Sequence, residues 1–178
     1  MKYLAILRGI NVSGKNKIKM EDLRDLMSKL GFENCQTYIQ SGNVVFEAVP
    51  QAVKTLAQKI EQAIAKQYNY EVPVIVKTQD DLAKVYSRNP FLPQHSEEMK
   101  FLHFTFCEEE PESIMIEGIE REKYLPDEWK ATDLGIYLFC PNGYGRTKLT
   151  NTFFERKLKV RATTRNWKTV QKLMEMLS

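Results

Sequence analysis

The first 77 residues follow an order of strand-like and helix-like patterns that few folds can accommodate. The strand-like stretches are short apolar or β-branched runs, and the helix-like stretches carry an apolar residue every three or four positions. In chain order they are a strand at 2–8, a helix at 20–30 ended by Gly31, two strands meeting at Ser41-Gly42-Asn43, a helix after Pro50 and a strand at 72–77. This β-α-β-β-α-β order matches the ferredoxin-like, or split βαβ, arrangement.

The second half of the chain shows the same plan less regularly. Its predicted elements are a connecting helix at 79–88, a strand at 100–108, a short helix after Pro111, a hairpin turning at 133–135, a helix at 147–158, a strand at 160–163 and a final helix from about Thr164. We therefore predict an α+β protein in which two ferredoxin-like (βαββαβ) subdomains pack together, with a C-terminal helix added. We assign 1–77 to the first subdomain, 78–99 to a connecting helix and Pro-rich linker, and 100–178 to the second subdomain with the final helix.

Charge is distributed unevenly along a chain whose composition is otherwise that of an ordinary globular protein. Of the 178 residues, 43% are hydrophobic and 28% charged, and the net charge is only +3. Residues 97–128 carry eleven acidic and three basic side chains, whereas 141–178 carry nine basic and two acidic ones. Residues 1–30 are also basic, with seven bases and three acids. Such polarity indicates either an anionic partner for the basic ends, or mutual attraction and solvation of these regions.

The cysteines and histidines are too few and too scattered for a metal or disulfide framework. Three cysteines, Cys35, Cys107 and Cys140, lack CxxC spacing, which predicts a reducing, cytoplasmic setting. Neither His95 nor His103 has a second ligand at metal-binding spacing, so we expect no metal and no cofactor. No apolar run approaches the roughly 20 residues that span a bilayer, so we expect no membrane association.

The loop after the first strand nearly fits a nucleotide-binding P-loop. Residues 9–16, GINVSGKN, follow the pattern G-x-x-x-x-G-K, but Asn16 stands where a Ser or Thr would bind Mg²⁺. The helix begins several residues too late, near Met20, and the hairpin that follows implies an antiparallel sheet. Nucleotide hydrolysis is therefore disfavoured. The loop is either a connection between strand and helix or an anion contact made by backbone N–H groups with Arg8, Lys15 or Lys17.

The densest run of cations, glycines and small polar residues is 141–167. Aromatic residues alternate there with arginines and lysines, a combination that suits nucleotide bases and phosphates. Phe153, Leu158 and Trp167 fit helical core positions instead, which removes much of the apparent aromatic platform. Thr163, Thr164 and Asn166 are expected to cap the final helix, and the N–H groups at a helix start also bind anions.

These patterns lead to one site hypothesis, a basic cleft between the subdomains that binds a phosphate-containing ligand or nucleic acid. The loops expected to form it are 8–17, 141–148 and 161–167. The predicted ligand-binding residues are Arg8, Asn11, Lys15, Asn142, Arg146, Lys148, Arg161, Thr164, Arg165 and Asn166. The sequence also allows a small enzyme acting on an anionic substrate without a metal, with tyrosines in proton transfer. A third possibility is an adaptor whose acidic region, 97–128, faces a protein partner.

Five stretches resemble a bacterial family catalogued as domain of unknown function 1697. They are LRGINVSGKNKIKMEDLR, TYIQSGNVVF, NPF, PNGYGRTKLTN and VRATTRNWKTVQKL, which run from the first strand to the last helix. The resemblance implies a pair of ferredoxin-like subdomains. It implies no activity, catalytic residue or cofactor for this chain.

Overall fold

The computed structural model describes all 178 residues, which divide into two compact units. The first unit comprises Met1–Leu82 together with Leu173–Ser178, and the second comprises Ala83–Lys172. Four antiparallel strands form a sheet in each unit. The chain is thus a mixed α+β protein with two four-stranded sheets and seven α-helices.

The first unit contains four strands and two helices in the predicted order. They are β1 (Lys2–Leu7), α1 (Met20–Lys29), β2 (Glu33–Tyr38), β3 (Asn43–Glu47), α2 (Val53–Tyr68) and β4 (Val74–Thr78). The sheet order is β2-β3-β1-β4, so β1 pairs on both sides. Gly31 follows α1 with φ +83°, a left-handed conformation that glycine adopts without steric cost. The predicted glycine stop is confirmed.

The core of the first unit lies where both helices pack against the sheet. Alternate residues of β1 face the helices, and α1 and α2 present apolar stripes to them. Its fully buried members include Tyr3, Leu7, Leu23, Met27, Leu56, Ile60 and Ile64, each at most 1% exposed. Burial of each such side chain contributes about 1.5–3 kcal/mol, which fixes the helices over the sheet.

The second unit repeats the same alternation, with extra helices at both ends. Its elements are α3 (Gln79–Ser87, which begins in the first unit), α4 (Leu92–His95), β5 (Leu102–Cys107), α5 (Ser113–Glu117), β6 (Glu128–Thr132), β7 (Gly135–Phe139), α6 (Asn151–Leu158), β8 (Ala162–Asn166) and α7 (Trp167–Leu177, whose last residues belong to the first unit). The sheet order is β6-β7-β5-β8. Aromatic and aliphatic side chains of β6, β7 and α6 form its core, with Trp129 packed edge-on against Phe154.

Two predicted helix starts are wrong, and hydrogen bonds show why. The final helix begins at Trp167, because Thr163 and Thr164 continue β8 and pair with β5. Of the three predicted caps, Asn166 alone caps this helix, with its Oδ1 accepting from the N–H of Lys168 at 2.9 Å. The preceding helix begins at Asn151 rather than 147, since the Thr150 hydroxyl accepts from the N–H of Phe153.

The chain contains neither a membrane-spanning helix nor a cluster of metal-ligating side chains. None of the helices combines the length and the apolar character needed to cross a lipid bilayer. No three His, Cys, Asp or Glu side chains come together as potential metal ligands.

Candidate functional site

A cavity of about 360 Å³ opens in the second unit beside the loop that follows β7. Its lining residues are Lys123, Tyr124, Leu125, Pro126, Asp127, Asn142, Arg146 and Lys148. Three of these, Asn142, Arg146 and Lys148, are among the predicted ligand-binding residues. We call this cavity the basic pocket, because it brings three cationic side chains together with a single carboxylate.

Thr147 holds the cationic loop in place between its two basic neighbours. Its buried hydroxyl donates to Asp127 Oδ2 at 2.6 Å and accepts from the N–H of Leu149 at 3.0 Å. A turn of 3-10 helix at Tyr144–Arg146 precedes it. With Thr147 turned inwards, the side chains of Arg146 and Lys148 on either side are exposed.

The electrostatic balance of the basic pocket favours an anion. Arg146 and Lys148 have no hydrogen bond or ion pair to any other side chain of the protein, whereas Lys123 is paired with Glu120 at 2.8 Å. The only lining carboxylate, Asp127, already accepts from Thr147. Two uncommitted cations beside one partly satisfied carboxylate leave a positive local field.

Residues 1–137 match a family model described as protein of unknown function (DUF1697). The chain belongs to the DUF1697 family. The match ends before Asn142, Arg146 and Lys148, so the loop carrying these three residues lies beyond it.

Comparison with solved structures extends the likeness to nearly the whole DUF1697 chain. The chain is similar to the conserved bacterial protein SP0830 from Streptococcus pneumoniae, with 26% sequence identity and a TM-score of 0.76. That likeness covers 99% of this chain and 98% of the other. Comparison with curated proteins gave no match.

Arg161, a predicted ligand contact, is held in this DUF1697 protein by an ion pair within the second unit. Its Nε and Nη2 donate to the two carboxylate oxygens of Glu108 at 3.0 and 3.2 Å. Such a two-pronged contact matches the geometry of the guanidinium group and fixes its orientation. Arg161 is not part of the basic pocket lining, and its position is explained by Glu108.

Thr164 and Arg165 belong to β8 and make contacts inside the second unit. The Thr164 hydroxyl bonds Thr105 at 2.8 Å and also Asn151 at the start of α6. The half-buried Arg165 donates from Nη1 to Thr163 Oγ1 and the Thr164 carbonyl, and burial lowers the pKa of its guanidinium to about 10. Neither residue lines the basic pocket.

Asn166 takes part in a polar cluster around the buried His103. Its Nδ2 donates to the Lys100 carbonyl at 3.0 Å and lies 3.4 Å from His103 Nε2. His103 Nδ1 lies 3.2 Å from the Phe101 carbonyl, which can only accept, so Nδ1 carries the hydrogen and Nε2 of the neutral ring accepts. Tyr144 stacks on this ring, with 4.8 Å between centroids. The His103 cluster therefore packs against Tyr144, the first residue of the 3-10 turn that ends at Arg146.

The His103 cluster predicts an acid-sensitive second unit. Burial lowers the pKa of His103 below its ordinary value of about 6.5, so the unfolded chain takes up the proton more readily than the native one. Stability is then expected to be full above about pH 6.5 and to fall as the pH drops from there towards the folded pKa. Urea midpoints measured between about pH 7 and about pH 5 test this, and His103→Gln should flatten the decline. An equally steep decline in the variant would assign the effect to other groups.

The three predicted residues of the first unit, Arg8, Asn11 and Lys15, lie on the loop after β1. Asn11 organises this loop: its Nδ2 donates to the carbonyls of Ile18 and Gln40, and its Oδ1 accepts from the N–H of Ile18. The N–H groups of Asn11 and Lys15 are taken by loop carbonyls, and α1 begins only at Met20. The loop therefore lacks the adjoining helix start of a P-loop, and two of its N–H groups are already engaged. A single cleft joining these residues to those of the second unit stays a prediction.

The sequence prediction missed Lys123 and Asp127, which line the basic pocket opposite the cationic loop. Both lie in the acidic region 97–128, for which the sequence predicts attraction to the basic ends, solvation or a protein partner. The only sequence signal for them was local, a cation and a carboxylate on either side of the Leu125-Pro126 pair.

Proposed function

We propose that this DUF1697 protein binds a small phosphate-containing anion in the basic pocket of its second unit. The observation that carries the proposal is that Arg146 and Lys148 line one cavity with Asn142 and have no ion-pair partner of their own. An uncompensated pair of cations raises the free energy of the isolated protein, and an anion lowers it. Phosphate oxygens accept from the planar guanidinium, the ammonium and the amide in different directions.

The dimensions of the basic pocket favour a small ligand over a nucleic-acid strand. A volume of about 360 Å³ lies within the usual range for small-molecule sites, roughly 300–1,000 Å³. Proteins that bind single strands use a long basic groove with several aromatic side chains. In the basic pocket the three cationic side chains line a single cavity of the second unit, and the only aromatic lining residue is Tyr124.

We also infer that each unit has the ferredoxin-like arrangement. Support comes from the β-α-β-β-α-β order of each unit and from the equivalent sheet orders, β2-β3-β1-β4 and β6-β7-β5-β8. Sheets of this kind occur in proteins of many functions, so the arrangement adds no weight to any ligand.

The proposal is tested with the double variant Arg146→Ala/Lys148→Ala. Titration calorimetry with inorganic phosphate and pyrophosphate should show an affinity at least tenfold below that of the unmodified protein, because each charge-assisted hydrogen bond contributes about 1.5–3 kcal/mol. Binding to the unmodified protein should also weaken as salt is added. The matched control is Arg156→Ala/Lys157→Ala, which removes the same two charges from an exposed face of α6.

Equal weakening by both double variants would contradict the proposal, since it would show a general charge effect rather than a site. Failure of the unmodified protein to bind either anion at low salt would contradict it as well. Unfolding curves of the two variants verify that both remain folded.

A further inference from the structure

A second cavity, of about 410 Å³, adjoins the basic pocket in the same unit. Its lining residues are Pro90, Phe91, Arg121, Leu125, Asp127, Glu128, Trp129 and Lys130. Leu125 and Asp127 line both cavities, so the two spaces share the wall that these residues form. We call this second space the aromatic cavity, after Phe91 and Trp129.

The aromatic cavity offers a planar cation and an apolar side chain at its mouth. The Arg121 guanidinium lies over the Trp129 ring, with Cζ 4.3 Å from the ring centroid, and Nη1 donates to the Trp129 carbonyl at 2.6 Å. These two contacts hold the guanidinium plane in place. Leu125 is 67% exposed, which is high for a large apolar side chain set between two cavities.

An unpaired donor lies in the wall of the aromatic cavity. Trp129 is 3% exposed, and its indole Nε1 is buried without any hydrogen-bond partner. Buried N–H groups are almost always paired, because an unpaired one costs about 1–3 kcal/mol. A ligand in the aromatic cavity reaches this donor only if the Trp129 ring turns, because the nitrogen itself has almost no accessible surface.

We propose, building on the anion binding proposed above, that the ligand is a mononucleotide. Its phosphate lies in the basic pocket and its base in the aromatic cavity, where the planar ring stacks on the Arg121 guanidinium. The sugar lies at the wall that the two cavities share, beside Asp127. Oδ2 of this carboxylate accepts from Thr147, whereas Oδ1 has no hydrogen bond and is available to a sugar hydroxyl. Carboxylates recognise ribose hydroxyls in this way.

The charged residues that line the aromatic cavity favour a nucleobase over a lipid chain as its occupant. Four charged residues line this cavity, Arg121, Asp127, Glu128 and Lys130, so an acyl chain would lie among four charged groups and gain little. A nucleobase has an apolar face for stacking and a polar edge that bonds such groups. The charged lining and the planar Arg121 guanidinium therefore fit a mononucleotide better than an acyl chain.

A ligand series measured by calorimetry tests this on the unmodified protein. We expect AMP and CMP to bind roughly tenfold or more tightly than ribose 5-phosphate, the effect of one stacked base. Adenosine, which lacks the phosphate, should bind far more weakly than AMP. Equal affinity for ribose 5-phosphate and the mononucleotides would overturn the mononucleotide proposal and leave anion binding intact, whereas no binding by any phosphate compound would overturn both.

Two variants of the aromatic cavity separate the base contact from the phosphate contact. Arg121→Lys keeps the charge and loses the planar face, and Phe91→Leu removes an aromatic ring that lines the aromatic cavity alone. Each is expected to lower AMP affinity several-fold while leaving pyrophosphate affinity unchanged. Unchanged AMP affinity in both variants would overturn the assignment of the base to the aromatic cavity. So would tighter binding of a 5′-phosphorylated oligonucleotide than of AMP, which would indicate a strand instead.

Discussion

Replacing Gly135 by alanine is expected to destabilise the second unit by about 3 kcal/mol or more. Gly135 begins β7 with φ +144°, a backbone conformation that residues with a side chain rarely adopt. A Cβ at this position would stand 2.3 Å from the Thr105 carbonyl oxygen and 2.8 Å from Phe104 Cζ. Because the oxygen belongs to the neighbouring strand β5, the clash can be relieved only by moving the centre of the sheet.

Urea unfolding followed by tryptophan fluorescence measures this loss, since both tryptophans, Trp129 and Trp167, lie in the second unit. Gly145→Ala is the matched control, because a Cβ there meets no atom within 4 Å. A free energy of unfolding for Gly135→Ala within about 0.5 kcal/mol of that of the control would show that the hairpin accommodates the side chain.

The alternation of strands and helices was predictable because its signals are local. Gly31, the apolar stripe of α1 and the turn before Gly135 each lie within a few residues of the structure they determine. The end of β8 was not predictable in this way. Thr163 and Thr164 fit a helix cap as well as a strand, and the strand prevails because they pair with Phe106 and Thr105 of β5. That pairing joins residues far apart in the chain.

In the candidate site, too, the features that depend on neighbouring residues were predictable and those that depend on distant contacts were not. The loop with Asn142, Arg146 and Lys148 was predictable from its density of glycine and cations. The opposite wall depends on the hydrogen bond from Thr147 to Asp127, 20 positions away, for which the sequence has no signal. Arg161 is predicted as a ligand contact from its place in the basic segment 161–167, and the sequence has no signal for its partner Glu108, 53 positions away. At this pair the acidic and basic regions attract each other, which is one of the two alternatives that the charge distribution left open.

Replacing Asn11 by alanine is expected to destabilise the loop after β1 by roughly 2–3 kcal/mol, and to leave anion binding in the second unit unchanged. The change removes three hydrogen bonds to backbone groups, at 2.8, 2.9 and 3.0 Å. It also places alanine at φ +56°, where asparagine is tolerated better.

Hydrogen exchange over residues 9–18 measures this loosening, and Lys17→Ala, an exposed change in the same loop, is its control. Asn11→Asp should loosen the loop at least as much as alanine, because its second carboxylate oxygen would face the carbonyl oxygens of Ile18 and Gln40. If Asn11→Ala left exchange unchanged and abolished phosphate binding, Asn11 would be a ligand contact, as the sequence alone predicted, and the site could not be confined to the second unit. Unchanged phosphate binding with faster exchange would instead assign Asn11 to the loop, since its amide is already engaged on both sides.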